Sequence, residues 1–360
     1  MKKGSNIYYP SLDSLRAIAV ILVIISHWFA SDHFLNRYTS NGTLGVTLFF
    51  VLSGFLISGI LMNYKTEIDL EVITIKQTLK IFYIRRAIRI FPIYYVLIGV
   101  LLLFQFSLMK DGFWWHFFYL SNVYFWLQGA FHGSLSHFWS LAVEEQFYLI
   151  WPMMILLVSW KRIPLILFFG ILSALLYRIN FVNEQNEMAR FLLPGSLDSF
   201  CIGAIFALAK KGIYPKLSAV LLNCKIQWIA GTGCFALSQL CVAAPISAGL
   251  KSALYIFLIS CAFGFLIFAL CSEEKLKSKI SFLQNPILMY IGKISYGLYL
   301  YHNFIPFPYD LNLSWIPIGL TYYVAQLFRF SLLMLVATAS WFFIEKPFLL
   351  LKDYYTKPRK

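Results

Sequence analysis

Long apolar runs, separated by short polar segments, make up most of this chain. Ten of these runs are long enough, or nearly so, to cross a membrane as helices, which takes about 20 residues. They lie at about 12–30, 43–63, 90–109, 138–160, 163–180, 191–209, 226–245, 252–271, 287–305 and 316–343. The pattern predicts an all-α, polytopic membrane protein with about ten transmembrane helices, in which 1–360 form a single integral-membrane domain.

The distribution of positive charge predicts how these helices are oriented. If both termini are cytoplasmic, 22 of the 30 lysines and arginines lie in inner segments, five lie in outer segments, and Arg16, Lys293 and Arg329 lie within the membrane. This bias agrees with the positive-inside rule. The same orientation gives a cytoplasmic loop at 65–89, an extracytoplasmic segment at 110–136 and a cytoplasmic tail at 344–360.

Residues 112–131 form an uncharged, aromatic-rich stretch that is an alternative eleventh span. An eleventh crossing would move every later basic cluster to the outside and reverse the charge bias. The aromatic, Asn, Ser and Gln content is typical of an interfacial or re-entrant segment. The charge bias therefore favours a stretch that does not cross.

The composition argues against several other classes of protein. Hydrophobic residues make up 60% of the chain and charged residues 13%, which is not typical of soluble globular proteins. The six cysteines show no C-x-x-C spacing and the six histidines no H-E-x-x-H spacing, so neither a disulfide framework nor a metal site is predicted. Membrane orientation explains the basic residues better than nucleic-acid binding does.

The first apolar run contains three ionisable residues, Asp13, Arg16 and His27. Arg16 and His27 are eleven residues apart, so at about 100° and about 1.5 Å per residue they share one helix face and lie about 16 Å apart along the axis. Ionisable residues in such a segment are costly, face a bundle interior or a wet cavity, and mark functional sites. The first helix is therefore predicted to line a polar track through the membrane.

Two further segments each allow a functional and a structural interpretation. Ser53 and Gly54 lie in the middle of the second run, where small residues form either a close helix contact or a groove for a thin acyl or pantetheine chain. Arg86 and Arg89 are three residues apart and project from one helix face. Such a pair either binds phosphates by bidentate hydrogen bonds, which is the functional interpretation, or binds lipid headgroups and anchors the chain at the membrane surface.

Two adjacent acids, Glu144 and Glu145, begin the fourth apolar run. One interpretation is that the two acids interact favourably with the helix dipole. The alternative is that one of them orients the imidazole of His27 as a general base, since these acids and His27 are expected on the same outer side. Neighbouring residues on a helix diverge by about 100°, so only one of the two acids is expected to face a site. Weaker candidates are Asp198, Lys293, Tyr296, His302 and Arg329, and a structural intramembrane pair is the alternative for Asp198, Lys293 and Arg329.

In chain order, these segments resemble the integral-membrane acyltransferase-3 family, the bacterial sugar O-acyltransferases. The resemblance covers nearly the whole chain and depends on an ordered set of five segments. They are the Arg16 and His27 pair, Phe49 to Gly54 (FFVLSG), the Arg86 and Arg89 pair, Ser140 to Leu149 (SLAVEEQFYL) and 295–302 (SYGLYLYH).

The resemblance implies an O-acyltransferase of the bacterial cytoplasmic (inner) membrane. Its donor would be a cytoplasmic acyl-CoA, most often acetyl-CoA, and its acceptor a hydroxyl of a cell-surface glycan, such as lipopolysaccharide or exopolysaccharide, or of a lipid-linked precursor. His27 would be the catalytic histidine and Arg16 its partner, Arg86 and Arg89 would contact CoA phosphates, and Glu144 would be the functional acid of its pair. Many members add an extracytoplasmic SGNH-type hydrolase domain, and this chain resembles the standalone form.

These roles combine into an expected mechanism. The arginine pair holds the CoA phosphates at the inner surface while the pantetheine arm threads toward the small residues of the second helix. His27, oriented by Glu144 or a neighbour, removes the proton of the acceptor hydroxyl as it attacks the thioester. Arg16 stabilises the developing negative charge or closes the cytoplasmic half of the track.

The sequence leaves two alternatives open. A covalent acyl-histidine or acyl-serine relay is an alternative to direct transfer. A transporter of a small polar solute is the alternative function, because intramembrane Arg, His and acid residues also form proton relays, although no internal repeat typical of many transporters is evident. The sugar, the acyl group and the oligomeric state do not follow from the sequence.

Overall fold

The computed structural model describes residues 9–37, 41–104, 107–272, 281–307 and 318–356. Within these ranges the chain forms helices and contains no strand, which confirms the all-α prediction. The principal helices are α1 (Pro10–Trp28), α2 (Asn41–Asp69), α3 (Ile75–Leu103), α4 (Phe138–Leu156), α5 (Ile163–Phe181), α6 (Leu197–Lys211), α7 (Cys224–Ala243), α8 (Ala248–Ser272), α9 (Pro286–Lys293), α10 (Ser295–Tyr301), α11 (Ile318–Ser340) and α12 (Lys346–Thr356).

Eight helices in the described part of the chain are long and apolar enough to cross a membrane. They are Pro10–Trp28, Asn41–Asp69, Ile75–Leu103, Trp160–Phe181, Leu193–Lys211, Lys225–Ala243, Ala248–Ser272 and Leu320–Leu351. A multi-span membrane protein is thus confirmed. The remaining two predicted runs form α4 and the broken pair α9 and α10, so the count of about ten and the cytoplasmic location of both termini stay predictions.

The aromatic stretch 112–131 is divided into short helices. Between α3 and α4 these are Ser107–Asp111, Phe113–Phe117 and Ser121–Gln128, followed by a 3₁₀ turn at Gly133–Leu135. A crossing helix takes about 20 residues, so the stretch does not cross as one continuous helix. The last short helix ends at Gly129, whose φ of 68° is the left-handed conformation that glycine adopts at helix ends.

The segment predicted as a cytoplasmic loop at 65–89 is mostly helical, and its location on the cytoplasmic side stays a prediction. α2 continues to Asp69, and α3 begins at Ile75 because Thr74 and Gln77 form a capping box. In that box the Gln77 N–H donates to Thr74 Oγ1 at 3.2 Å and the Thr74 N–H donates to Gln77 Oε1 at 3.0 Å. The arginines at 86 and 89 therefore lie on a continuous helix. The tail predicted at 344–360 is also helical over Lys346–Thr356.

α2 packs closely against α6 through a pair of glycines. A Cβ on Gly54 would collide with the Phe200 backbone, and a Cβ on Gly203 would collide with the Val51 carbonyl oxygen. Backbones approach this closely in membranes where small residues face each other. The structural interpretation of Gly54 is therefore correct.

A buried ion pair joins α5 to α6. Arg178 and Asp198 are both fully buried, and two guanidinium nitrogens donate to the two carboxylate oxygens, one of them at 2.9 Å. The same guanidinium donates to the Gly195 carbonyl at 2.6 Å. Asp198 is therefore part of a structural intramembrane pair, which was the alternative left open for it. Arg178 is one of the five basic residues that the charge count places in outer segments, and its side chain is fully buried in the structure.

Replacing Asp198 with alanine is expected to destabilise the fold by about 3–5 kcal/mol, because the buried charge of Arg178 would lose its partner. The measurement is the thermal unfolding midpoint of the purified protein in detergent. Glu184→Gln, which alters an exposed acid just after α5, is the matched control and should leave the midpoint unchanged. A midpoint for Asp198→Ala equal to that of the wild type would contradict the structural role.

Candidate active site

A cavity of about 220 Å³ lies between α1, α2, α3, α4 and α10. Apolar side chains of α2 form much of its wall, and polar side chains from the other helices project into it. Seven candidates from the sequence line it, namely Arg16, Ser53, Arg86, Arg89, Glu144, Glu145 and Tyr296. The fold thus gathers residues from five parts of the chain around one space.

Three guanidinium groups face this cavity. Arg16 donates to the carboxylate of Asp13, one turn earlier on α1, at 2.6 Å. Arg86 lies between the rings of Phe82 and Tyr148, whose centroids are 5.7 and 5.5 Å from its guanidinium carbon. Neither Arg86 nor Arg89 is in an ion pair with another described residue. Arg86 and Arg89 share the cavity with Glu144 and Glu145, and as two cations outside any described ion pair they favour the binding of an anion.

Glu144 is held by two hydroxyl groups. Ser53 Oγ and Tyr148 Oη both donate to Glu144 Oε1, and Ser53 Oγ lies 3.1 Å from Tyr148 Oη. Tyr148 follows Glu144 by one helical turn, a spacing from which its contact with Glu144 could have been predicted. Glu145 also lines the cavity, so the expectation that only one of the two acids faces the site is wrong. The space is wide enough to include side chains that diverge by about 100° on α4.

The expected proximity of Glu144 and His27 is also wrong. α4 runs parallel to α2, since Ser53 contacts Glu144 and the Trp151 indole donates to Ser58 Oγ at 2.8 Å. α1 runs antiparallel to α2 and brings Ser26, beside His27, against Gly42. Ser53 and Gly42 are eleven residues apart, so Glu144 lies about 16 Å from the level of His27 along α2.

His27 is oriented by a second histidine instead. His27 Nδ1 lies 2.7 Å from His302 Nε2, and the two rings stack with centroids 4.9 Å apart. His302 Nδ1 lies 2.6 Å from the Tyr299 carbonyl oxygen. His302 is fully buried, whereas His27 is exposed.

The hydrogen bonds of this pair determine which nitrogen of His27 is free. The Tyr299 carbonyl can only accept, so a neutral His302 carries its proton on Nδ1 and presents a lone pair at Nε2. His27 must then donate from Nδ1, which leaves Nε2 of His27 unprotonated. A neutral imidazole with a free Nε2 and a fixed tautomer is the form that a general base requires.

A third histidine, His137, completes the cluster and was not singled out from the sequence. Its ring meets the His302 ring edge-on at 4.8 Å, and its Nε2 lies 3.1 Å from the Leu300 carbonyl oxygen. Asn303 Nδ2 lies 3.1 Å from His137 Nδ1. His137 immediately precedes α4, and the short polar segment before Phe138 was the only signal available for it.

One helical turn separates the histidine cluster from the cavity. Ser140, three residues after His137, lines the cavity and is hydrogen-bonded to the Tyr299 hydroxyl. The Tyr299 ring also meets the ring of Phe49 edge-on at 5.9 Å. The Ser140–Tyr299 contact therefore closes the end of the cavity nearest the histidines, while the Tyr299 carbonyl holds His302.

Several candidates from the sequence lie elsewhere. Gly54 does not line the cavity because it packs against α6, so its assignment to donor binding is wrong. Lys293 is exposed at the end of α9, with its ammonium 5.0 Å from the Trp341 ring, and does not line the cavity. Arg329 Nε donates to the Ile305 carbonyl at 2.8 Å, and its guanidinium lies over the Trp28 ring. Tyr296, by contrast, lines the cavity, and its hydroxyl donates to the Ile90 carbonyl oxygen at 3.4 Å.

No group of three or more His, Cys, Asp or Glu side chains in the described ranges has the arrangement of a metal site. The side chains gathered at this site supply an imidazole, carboxylates, hydroxyls and guanidinium groups. Such a set performs proton transfer and binds anions.

Comparisons with known proteins bear on the function of this arrangement. Residues 9–346 match the profile of a family described as "Acyltransferase domain" (Acyl_transf_3). The chain is 32% identical to the "O-acetyltransferase OatA" of Staphylococcus aureus over 96% of this chain and 58% of that protein. It is 32% identical to the "Peptidoglycan O-acetyltransferase OatA" of Listeria monocytogenes over 83% of this chain and 49% of that protein. The chain spans about half to three-fifths of the length of these relatives. No solved structure matches it significantly.

Replacement by alanine is expected to lower the stability of the fold at Gly54 and to leave it unchanged at the neighbouring Ser53. Gly54→Ala should destabilise the fold by about 1–3 kcal/mol, because the new methyl group meets the Phe200 backbone. Ser53→Ala adds no atom, lies at the cavity and leaves Tyr148 as a donor to Glu144, so its unfolding midpoint should stay close to that of the wild type. Equal midpoints for the two variants would contradict the assignment of Gly54 to packing.

Proposed function

We propose a function for this chain from the premise that it belongs to the Acyl_transf_3 family of acyltransferases: it moves an acetyl group from a cytoplasmic acyl-CoA to a hydroxyl of a cell-surface glycan or of its lipid-linked precursor. One observation carries the proposal. A cavity lined by arginines outside any described ion pair lies one helical turn from a histidine cluster, in which Nε2 of His27 is free. The arginines match the anionic nucleotide at one end of an acyl-CoA, and the histidine matches the thioester at its other end.

The donor half of the site is suited to a thin chain. A volume of about 220 Å³ is below the roughly 300–1,000 Å³ of pockets that enclose a whole ligand. The nucleotide would stay at the cavity mouth, where Arg89 is exposed, and Arg86 and Arg89 would bind its phosphates. The pantetheine arm would extend through the cavity past Ser53. Arg16 lies in this half and not beside His27, which favours a role in binding the donor.

The transfer step needs one base and balances without a further reagent. His27 Nε2 takes the proton of the acceptor hydroxyl while the oxygen attacks the thioester carbonyl carbon. The C–O bond forms, the C–S bond breaks, and the thiolate of CoA leaves with the proton that His27 holds. His302 fixes the tautomer of His27 throughout, and the arm passes the Ser140–Tyr299 contact to bring the thioester to this level.

The cellular setting is part of the same proposal. A donor that is made in the cytoplasm and an acceptor at the surface place the protein in the bacterial cytoplasmic (inner) membrane, with Arg16 toward the cytoplasm and His27 toward the outside. The name of the Listeria relative supports peptidoglycan as an acceptor, beside the lipopolysaccharide and exopolysaccharide that the resemblance suggests. Family membership favours this enzyme over the transporter that the buried charges alone would also allow.

His27→Ala is expected to abolish glycan acylation, because no other described side chain presents a free imidazole nitrogen at this place. The measurement is mass spectrometry of surface glycans from cells that lack the gene and carry either the wild type or a variant. His33→Ala, which removes a histidine just beyond α1, is the matched control and should retain the acyl mass increment. An unchanged glycan together with loss of solute export would instead support a transporter.

Replacing His302 with leucine is expected to lower kcat roughly tenfold or more, because His27 loses the acceptor that holds its proton on Nδ1. KM for acetyl-CoA should change little, since His302 lies outside the donor cavity. His302→Gln should recover part of kcat, because its amide oxygen can accept from His27 Nδ1. The measurement is steady-state acetyl transfer by purified protein, and a rise in KM without loss of kcat would contradict the positioning role.

A further inference from the structure

Tyr119 lines the donor cavity and carries a buried hydroxyl group without a hydrogen-bond partner among the described residues. The residue lies between two short helices of the 112–131 stretch, lines the cavity and is only 6% exposed. Its hydroxyl has no hydrogen-bond partner among the residues that the structure describes. Buried polar groups nearly always have a partner, so an orphaned hydroxyl at a cavity wall indicates a partner that arrives with a ligand.

The backbone of Tyr119 is held in a strained conformation. Its φ is 54°, in the left-handed region that bulky residues rarely adopt. Gln146 Nε2 donates to the Tyr119 carbonyl at 2.9 Å, and the Tyr119 N–H donates to the His116 carbonyl at 3.2 Å. The Tyr119 ring stacks on Tyr94 with centroids 4.2 Å apart. Strain that persists under such constraints is typical of functional sites.

Packing alone does not account for this residue. A phenylalanine would make the same stack on Tyr94 without burying an unpaired hydroxyl. Burial raises the pKa of the Tyr119 hydroxyl well above its usual value, so it stays protonated at neutral pH and acts as a donor. The ligand that satisfies it must therefore present an acceptor at mid-cavity. A pantetheine arm carries two secondary amides, and each has a carbonyl oxygen that accepts.

We propose that Tyr119 donates a hydrogen bond to an amide carbonyl of the phosphopantetheine arm of the acyl donor, and that the short helices between α3 and α4 hold it in place for this contact. The inference rests on the proposed function, because it requires a donor that carries this arm. CoA and a loaded acyl carrier protein share the arm and differ in the group attached to its phosphate, a nucleotide in the first and a protein in the second.

The test is equilibrium binding to the full chain in lipid nanodiscs. The probes are CoA, holo-acyl carrier protein and 3′,5′-ADP, which has the nucleotide of CoA without the arm. Tyr119→Phe should bind CoA about tenfold more weakly, the effect of one buried hydrogen bond, and should bind 3′,5′-ADP as the wild type does. Tyr124→Phe removes the hydroxyl of another tyrosine in the same segment, which does not line the cavity, and should change neither affinity.

The outcomes separate this inference from the proposed function. Equal CoA affinity for Tyr119→Phe and the wild type overturns the inference alone, and so does a parallel loss of 3′,5′-ADP binding. If the wild type binds neither CoA nor holo-acyl carrier protein, both the inference and the proposed donor fail. Selective weakening with holo-acyl carrier protein, and no binding of CoA, supports the Tyr119 contact and overturns CoA as the source.

A second variant keeps the test decisive if Tyr119→Phe does not fold. Gln146→Met removes the donor to the Tyr119 carbonyl and keeps the hydroxyl. It should weaken CoA binding severalfold and leave 3′,5′-ADP binding unchanged, because the hydroxyl is then less well placed. Unchanged CoA affinity for Gln146→Met would count against the inference.

Discussion

The cost of leaving a polar group unpaired inside a bilayer organises this fold. Most of its buried polar groups are paired within the protein. Arg178 pairs with Asp198, Arg16 with Asp13, and Glu144 with two hydroxyls. Around the cavity the pattern differs, because Arg86 and Arg89 form no ion pair with a described residue and the buried Tyr119 hydroxyl has no acceptor among the described residues. In a medium that penalises unpaired groups, such a cluster points to the place where a ligand supplies the missing partners.

The site consists of the cavity and the histidine cluster, and Tyr299 contacts both. Its hydroxyl bonds Ser140 and closes the cavity, while its carbonyl fixes the proton of His302 and, through it, that of His27. The arginines lie on one side of this residue and the free imidazole nitrogen on the other. This division keeps a cationic binding site away from a base that has to accept a proton, because nearby positive charge disfavours protonation of an imidazole.

The sequence predicted the helical class, the membrane and the shared helix face of Arg16 and His27, because all three depend on periodicity and composition within single segments. It did not predict which helices are neighbours or at what depth. Glu144 was therefore assigned to His27, although the parallel packing of α4 on α2 places it beside Ser53. Gly54 was assignable to packing only once Phe200 was seen against it. Tyr119 and His137 lie in short irregular segments, where no periodicity signals the direction of a side chain.

The partners of Arg16 and His27 explain why these two residues are eleven positions apart. Each lies on α1, yet Arg16 faces the anion-binding cavity and His27 the histidine cluster. Since one helix carries both, the separation between the proposed donor-binding residue Arg16 and the proposed base His27 is about 16 Å along its axis. An extended thioester arm spans such a gap, whereas a proton relay would need a continuous chain of exchangeable groups. The hydrogen bonds from His27 run through His302 and end at the Tyr299 backbone carbonyl, which carries no exchangeable proton. This geometry favours transfer of a group over conduction of protons.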